Sequence, residues 1–243
     1  MQKGCNVKPH LPLIALVLSL ALYSAELPAK ARTASPEEAR KIVLDYASCV
    51  VKRSRNKAVE ALLANADTRT IKRDFRRLIN SDCVGSGVSI EFDADLFRYA
   101  LADALVSSEF ALEGPTDFSD RPLLTHLRPP TQADLDHALA KARSAKERDE
   151  LLRIFRAGQV VPSLSSYGEC VVRSDPISAR LWVLSKPGAP EEATRIDALR
   201  HSFGGCLKDG KITFSRETLR GTVALNYYRL AHAPAQPSAA KAD

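Results

Sequence analysis

Apolar residues recur along this chain mostly at spacings of three and four, and one long stretch of that pattern occurs twice. Ser35-Pro36-Glu37-Glu38 carries the marks of a helix start, with Ser35 as N-cap, Pro36 in the first turn and Glu38 closing a capping box. Ile42, Tyr46 and Cys49, together with Val43, Ala47 and Val50, then follow at helical spacing, which predicts a helix with Cys49 on its buried face. The segment Tyr46-Ala47-Ser48-Cys49-Val50-Val51-Lys52 returns as Tyr167-Gly168-Glu169-Cys170-Val171-Val172-Arg173. The constant offset of 121 runs through Ala58/Ala179 and Leu63/Leu184 to Leu78/Leu199, and it becomes 122 later, where Arg98 matches Arg220 and Ala102 matches Ala224. A period this long does not suit a solenoid of short helical repeats and predicts two tandem copies of one fold.

Each copy helps to read the other. Asp175-Pro176 restarts a second helix, from about Ile177 to Ser185, corresponding to Asn56 through Asn65. Pro187-Gly188 ends it, and Pro190-Glu191-Glu192 opens a third that carries Ile196, Leu199 and Phe203 toward Cys206, as Ile71, Phe75, Leu78 and Ile79 lead toward Cys83. Gly204-Gly205 and Gly85 with Gly87 serve as stop and turn residues. Val88 to Phe92 and Lys211 to Phe214 alternate over a short span, as extended segments do, and Asp93 or Ser215 caps a last helix, Ala94 to Phe110 or Arg216 to Ala231. Between the copies, Gly114 to Thr131 has loop composition. Thr131-Gln132-Ala133-Asp134 resembles a capping box, and the largely charged run to Gly158 reads as one exposed helix, or two joined near Ser144.

The fold expected is mainly α: two tandem copies of a small disulfide-stapled helical domain, each of about four helices plus a short extended segment. The expected division is a signal peptide over 1–31, a first repeat domain over 32–112, a linker with an exposed helix over 113–160, a second repeat domain over 161–232 and a disordered tail over 233–243.

The beginning of the chain sets the compartment. Lys3 and Lys8 precede an apolar run from Leu11 to Leu22, and Ala29-Lys30-Ala31 fits a small-x-small cleavage site, the pattern of a secretory signal peptide. The run is shorter than the roughly 20 residues of a spanning helix, so no stable membrane span is expected after cleavage. Cleavage after Ala31 removes Lys3, Lys8, Lys30 and Glu26 and lowers the formal net charge from +6 to about +4, too small a surplus to mark a nucleic-acid partner. The expected location is periplasmic or secreted. Cys49, Cys83, Cys170 and Cys206 remain, an even number that points to disulfides in an exported chain. Four cysteines permit three pairings; the repeat makes Cys49 with Cys83 and Cys170 with Cys206 the economical one.

Catalytic and metal chemistry find little to stand on. The cysteines lack the short C-x-x-C spacing of a zinc site, the histidines have no metal-binding spacing, and no cofactor fingerprint is present. His201 lies five residues before Cys206, but the first copy has no histidine to match. Ser86 in Gly85-Ser86-Gly87 has no nucleophile elbow around it. Asp93 with Asp95 reads as helix-capping chemistry rather than an acid pair. The residues that stand out are polar ones repeated in both copies: Tyr46 with Tyr167, Arg98 with Arg220, Arg77 with Arg200, and Lys52 with Arg173. Repeated guanidiniums serve either a partner's carboxylate or phosphate or an internal acid such as Asp74 or Asp197, and the internal role is the expected one. Trp182 takes the place of Ala61 and belongs in a core.

Tyr167 to Pro176, Gly204 to Cys206 and Phe214 to Gly221 together resemble a pattern found in exported proteins of unknown function from sphingomonad-type alphaproteobacteria. The first copy departs from that pattern at Lys52 and Tyr99. The resemblance implies an extracytoplasmic duplicated domain and carries no activity. The function expected is that of an exported, non-enzymatic binding or structural protein without a cofactor, another envelope protein being one candidate partner. The alternative is a cell-envelope hydrolase or enzyme accessory with its site between the copies.

Overall fold

The computed structural model describes residues 35–79, 81–84, 95–207 and 215–236. Helix α1 (Pro36–Leu63) starts as its sequence dictates: the Ser35 hydroxyl accepts from the Glu38 N–H, and the Glu38 carboxylate accepts from the Ser35 N–H at 2.8 Å. Its backbone leaves helical geometry at Ser54 (φ −139°, ψ 39°) without ending the helix. The corresponding place 121 residues on is Asp175 (φ −150°, ψ 81°), and there the helix does break. The difference follows from the next residue. Pro176 lacks an N–H and disfavours a helical residue before it, whereas Arg55 imposes neither constraint. Asp175 thus closes α5 (Ala145–Ser174) and caps α6 (Pro176–Leu184) by accepting from the Ser178 N–H at 2.9 Å.

Helix α2 (Thr68–Asp74) is capped by Asp67, which accepts from the Thr70 N–H at 2.7 Å, and is followed by 3-10 turns at Arg76–Leu78 and Ser81–Cys83. Helix α3 spans Leu96–Glu109. In the second half the single helix expected from Pro190 to Cys206 is instead two, α7 (Pro190–Ala198) and α8 (Arg200–Cys206), joined at Leu199. Leu199 is completely buried, so the elbow lets the chain turn while that side chain stays in the core. Helix α9 (Arg216–Ala231) is capped by Ser215, which accepts from the Thr218 N–H at 3.2 Å. The expected extended segments, Val88 to Phe92 and Lys211 to Phe214, lie outside the described residues, as do Gly85, Ser86, Gly87, Asp93, the signal segment and residues 237–243.

Of the two readings of the charged middle run, the structure has the divided one. Helix α4 spans Gln132–Lys141, and α5 begins with Ser144 as its N-cap, accepting from the Glu147 N–H at 3.1 Å. The expected stop at Gly158 is corrected. Helix α5 runs for 30 residues, through Gly158 and Pro162, straight into the Cys170 segment. Gly158 meets a packing need instead, since a Cβ there would come within 2.9 Å of the Pro130 Cγ.

At the centre α3 and α9 pack on each other, α1 packs on α3, and α5 and α6 pack on α9. One buried cluster draws on all of them: Val50 and Leu62 from α1, Leu101 and Leu105 from α3, Val171, Val172, Trp182 and Val183 from α5 and α6, and Leu225 and Tyr227 from α9. Both halves of the sequence therefore supply one core. Two glycines let α9 come close to its neighbours. A Cβ on Gly221 would lie 2.2 Å from the Tyr99 Cβ on α3, and one on Gly168 would lie 2.2 Å from the Thr222 Cγ2.

Cys49 is bonded to Cys83 and Cys170 to Cys206, spanning 34 and 36 residues. Cys83 and Cys206 pack against the core, but Cys49 and Cys170 do not sit on the buried helix face as expected. Tyr46, Ala47, Val50 and Val51 are buried while Cys49 is only half-buried, and Cys170 is exposed between buried Glu169 and Val171. The disulfides tie the margin of the helix packing to the connecting segments.

Candidate functional site

The described residues enclose a groove of about 1070 Å³ that is open to solvent. Its walls come from six stretches far apart in sequence: the start of α1, α2, the start of α3, the 127–130 loop with α4, the middle of α5 and the start of α9. The lining is mainly apolar, with Val43 and Leu44 from α1, Leu96, Tyr99 and Ala100 from α3, Leu135 from α4, and Leu151, Ile154, Phe155, Val161 and Leu164 from α5. Ile154 and Val160 remain 43% and 58% exposed, so the groove presents apolar surface to water. Its volume lies just above the range of roughly 300–1,000 Å³ typical of small-molecule sites.

Arg40, Asp103 and Arg220 of the lining belong to a buried ion-pair network. The Arg220 guanidinium donates to Asp103 at 2.6 Å, to the carbonyls of Trp182, Val183 and Ser185, and to Glu192 at 3.4 Å. Glu192, fully buried, also accepts from Arg40 and from the Gly188 N–H at 3.0 Å. Burial works against its charge, but the hydrogen bonds from Arg40 and Gly188 and the neighbouring cations outweigh that and hold its pKa below the usual glutamate value. Burial raises the Asp103 carboxyl, with Arg220 pulling in the other direction. Each carboxylate here is satisfied within the protein, which suits a structural clamp rather than a proton-transfer pair.

The repeated polar residues take different roles in the two copies and from pair to pair. Arg220 is the hub just described. Arg98, 1% exposed, donates to Asn65 at 2.9 Å and pairs with Asp95 at 3.3 Å. Asn65 itself occupies the left-handed region (φ 52°), a conformation asparagine tolerates, so Arg98 holds the turn that ends α1. Tyr46 and Tyr167 are buried; Tyr46 packs on Phe97, and the Tyr167 hydroxyl donates to the Phe203 carbonyl at 3.1 Å. Arg77 and Arg200 are exposed, and Arg200 pairs with Asp197 on its own side of the surface. Asp74 is instead paired with Arg73. Arg173 donates to Glu169 and to the carbonyls of Phe118, Arg121 and Pro122, fastening that loop to α5, while Lys52 is exposed. Trp182 is fully buried, as its match to Ala61 implies. The structure thus brings none of the repeated pairs together into one site.

One constellation was not visible in the sequence. The His126 ring bridges Ser165, at 2.9 Å from Nδ1, and Glu169, at 2.8 Å from Nε2. Serine, histidine and carboxylate in contact are the parts of a hydrolytic triad. Here Ser165 is buried in the middle of a helix and does not line the groove, and Glu169 also accepts from the Leu124 N–H at 3.1 Å and from Arg173 at 2.8 Å. Burial opposes the Glu169 charge, but the bonds from His126, Leu124 and Arg173 prevail and lower its pKa. The group ties residues 118–126 to α5. Cys206 is consumed in a disulfide, so the pairing of His201 with a free thiol does not occur.

Among the described residues no cluster of histidine, cysteine and acidic side chains could hold a metal ion, and no helix is long and apolar enough to cross a membrane. Comparison with protein-family models, with curated proteins and with solved structures finds no match to this chain.

Proposed function

We propose that the protein is an exported, non-enzymatic binding protein built from two duplicated, disulfide-stapled halves, and that the groove between them receives an apolar ligand. The observation that carries this reading is the groove itself, a large apolar concavity whose ion pairs are internally satisfied. The duplication is supported by the breaks at Ser54 and Asp175 and by the meeting of Tyr99 with Gly221, equivalent positions that face each other across α3 and α9. Equivalent residues touch in this way near a two-fold relation. Export is supported by the leader pattern, the likeness to exported sphingomonad-type proteins and the two disulfides, which fit an oxidising compartment. A hydrolase is the weaker reading, because none of Ser165, His126 and Glu169 lines the groove.

The test is titration of the oxidised mature protein with a neutral, environment-sensitive apolar fluorophore. One saturable site is expected, weakened by Ala157→Trp, which puts a large ring in the groove from an exposed position. No saturable binding, or binding indifferent to that substitution in a folded variant, overturns the reading.

A further inference from the structure

The charges around the groove are unevenly committed, and this suggests what the ligand carries. The acidic residues that line it all have partners within the chain: Asp67 caps α2, Asp134 closes the capping box of α4 with Thr131, Asp95 pairs with Arg98, Asp103 with Arg220, and Glu217 lies 3.9 Å from Arg40. Arg40 and Arg220 are likewise taken up by Glu192 and Asp103. Three other lining cations, Arg69 and Lys72 on α2 and Arg128 in the loop before α4, are exposed and form no ion pair among the described residues. Arg69 and Arg128 both act electrostatically on Asp134, so they lie at the same part of the rim. Arg69 acts on Asp67 as well, so the groove joins an apolar trough to a rim where three exposed cations outnumber the carboxylates Asp67 and Asp134.

Resting on the binding reading above, the geometry points to a single-chain anionic amphiphile as the ligand, a free long-chain carboxylate or its phosphate counterpart. The chain lies along Leu44, Leu135, Leu151, Phe155 and Leu164, and the anionic head is met by Arg69, Lys72 and Arg128. Guanidinium groups suit a carboxylate or phosphate because their paired N–H donors match its oxygens. The buried network pairs its own charges, Arg40 with Glu192 and Arg220 with Asp103, which leaves Arg69, Lys72 and Arg128 to meet the head.

The experiment is displacement of the neutral fluorophore from the oxidised mature protein, below micellar concentrations, by decanoate, laurate, dodecanol and dodecyltrimethylammonium. Laurate is expected to compete best, about 10-fold better than decanoate for its two additional methylenes. The variant Arg69→Gln/Lys72→Gln/Arg128→Gln is expected to lose about 10-fold in affinity for laurate, as the sum of three exposed pairings, and to bind dodecanol as before. Equal competition by laurate, dodecanol and the ammonium, or a laurate affinity unchanged in the triple variant, overturns the assignment of an anionic head while the fluorophore's own binding upholds the groove. Failure of the fluorophore to bind removes both. Association with anionic vesicles without displacement by monomeric laurate also overturns the proposal, in favour of a membrane surface.

Discussion

Gly221→Ala is the sharpest probe of how the two halves are joined. An alanine in a helix interior is ordinarily favoured over glycine by about 1 kcal/mol. At position 221 the added methyl would stand 2.2 Å from the Tyr99 Cβ and 2.6 Å from its Cγ, far inside the contact distance of about 3.5–4.0 Å. No rotamer change can move Tyr99 Cβ, so α3 and α9 must separate. Overpacking of this kind costs about 1–3 kcal/mol. With backbone movement unavoidable, the upper end applies and outweighs the propensity gain, leaving a net loss of about 2 kcal/mol. For a chain of this size that is a fall of about 4–8 °C in Tm. The assay is equilibrium urea unfolding of the oxidised protein, with Gly204→Ala as the control. Gly204 has no atom within 4 Å of where its Cβ would be, so that variant is expected to match or slightly exceed the wild type. If Gly221→Ala is as stable as Gly204→Ala, the close packing of α3 on α9 is wrong.

Three further outcomes follow from the buried groups. Glu169 and Glu192 have folded-state pKa values lowered from 4.5, so the stability they confer is complete above about pH 4.5 and is lost as the pH falls through their lower folded-state values; Glu192→Gln should flatten that acid limb in urea titrations against pH. Arg220→Met strands Asp103 as a buried unpaired acid, while Glu192 keeps Arg40 and the Gly188 N–H, and should cost about 3–5 kcal/mol, whereas Arg200→Met, on the surface, should leave the urea midpoint unchanged. Removing either disulfide should cost about 3–4 kcal/mol on the chain-entropy view of loops of 34 and 36 residues, and mild reductant followed by alkylation should label exposed Cys170 before Cys49.

What the sequence made legible was local or repeated. The capping box at Ser35, the bounds of α9, the helix break at Asp175 and the economical disulfide pairing all come from signals within a few residues or from the offset of 121. The run of α5 through Gly158 was misread because the glycine there serves contact with Pro130, which lies 28 residues earlier and leaves no local mark. The repeat also concealed as much as it revealed. Arg98 and Arg220 are equivalent in sequence, but their acid partners are not: Asp103 aligns with Leu225 and Glu192 with Ile71. Searching for repeated polar residues therefore found the hubs and missed Asp103, Glu169 and Glu192. The groove was beyond reach for a similar reason, since its walls are six stretches brought together only by the shared core.

The most direct measurement of the central claim is the place where a ligand lies. Photo-crosslinking of the oxidised mature protein with a long-chain carboxylate bearing a diazirine near its tail, followed by peptide mapping, should label the groove walls in α4 and α5, around Leu135, Leu151 and Phe155. Excess laurate should suppress that labelling. Labelling spread over exposed apolar residues outside the groove, such as Leu112 and Leu123, and insensitive to laurate, would contradict it.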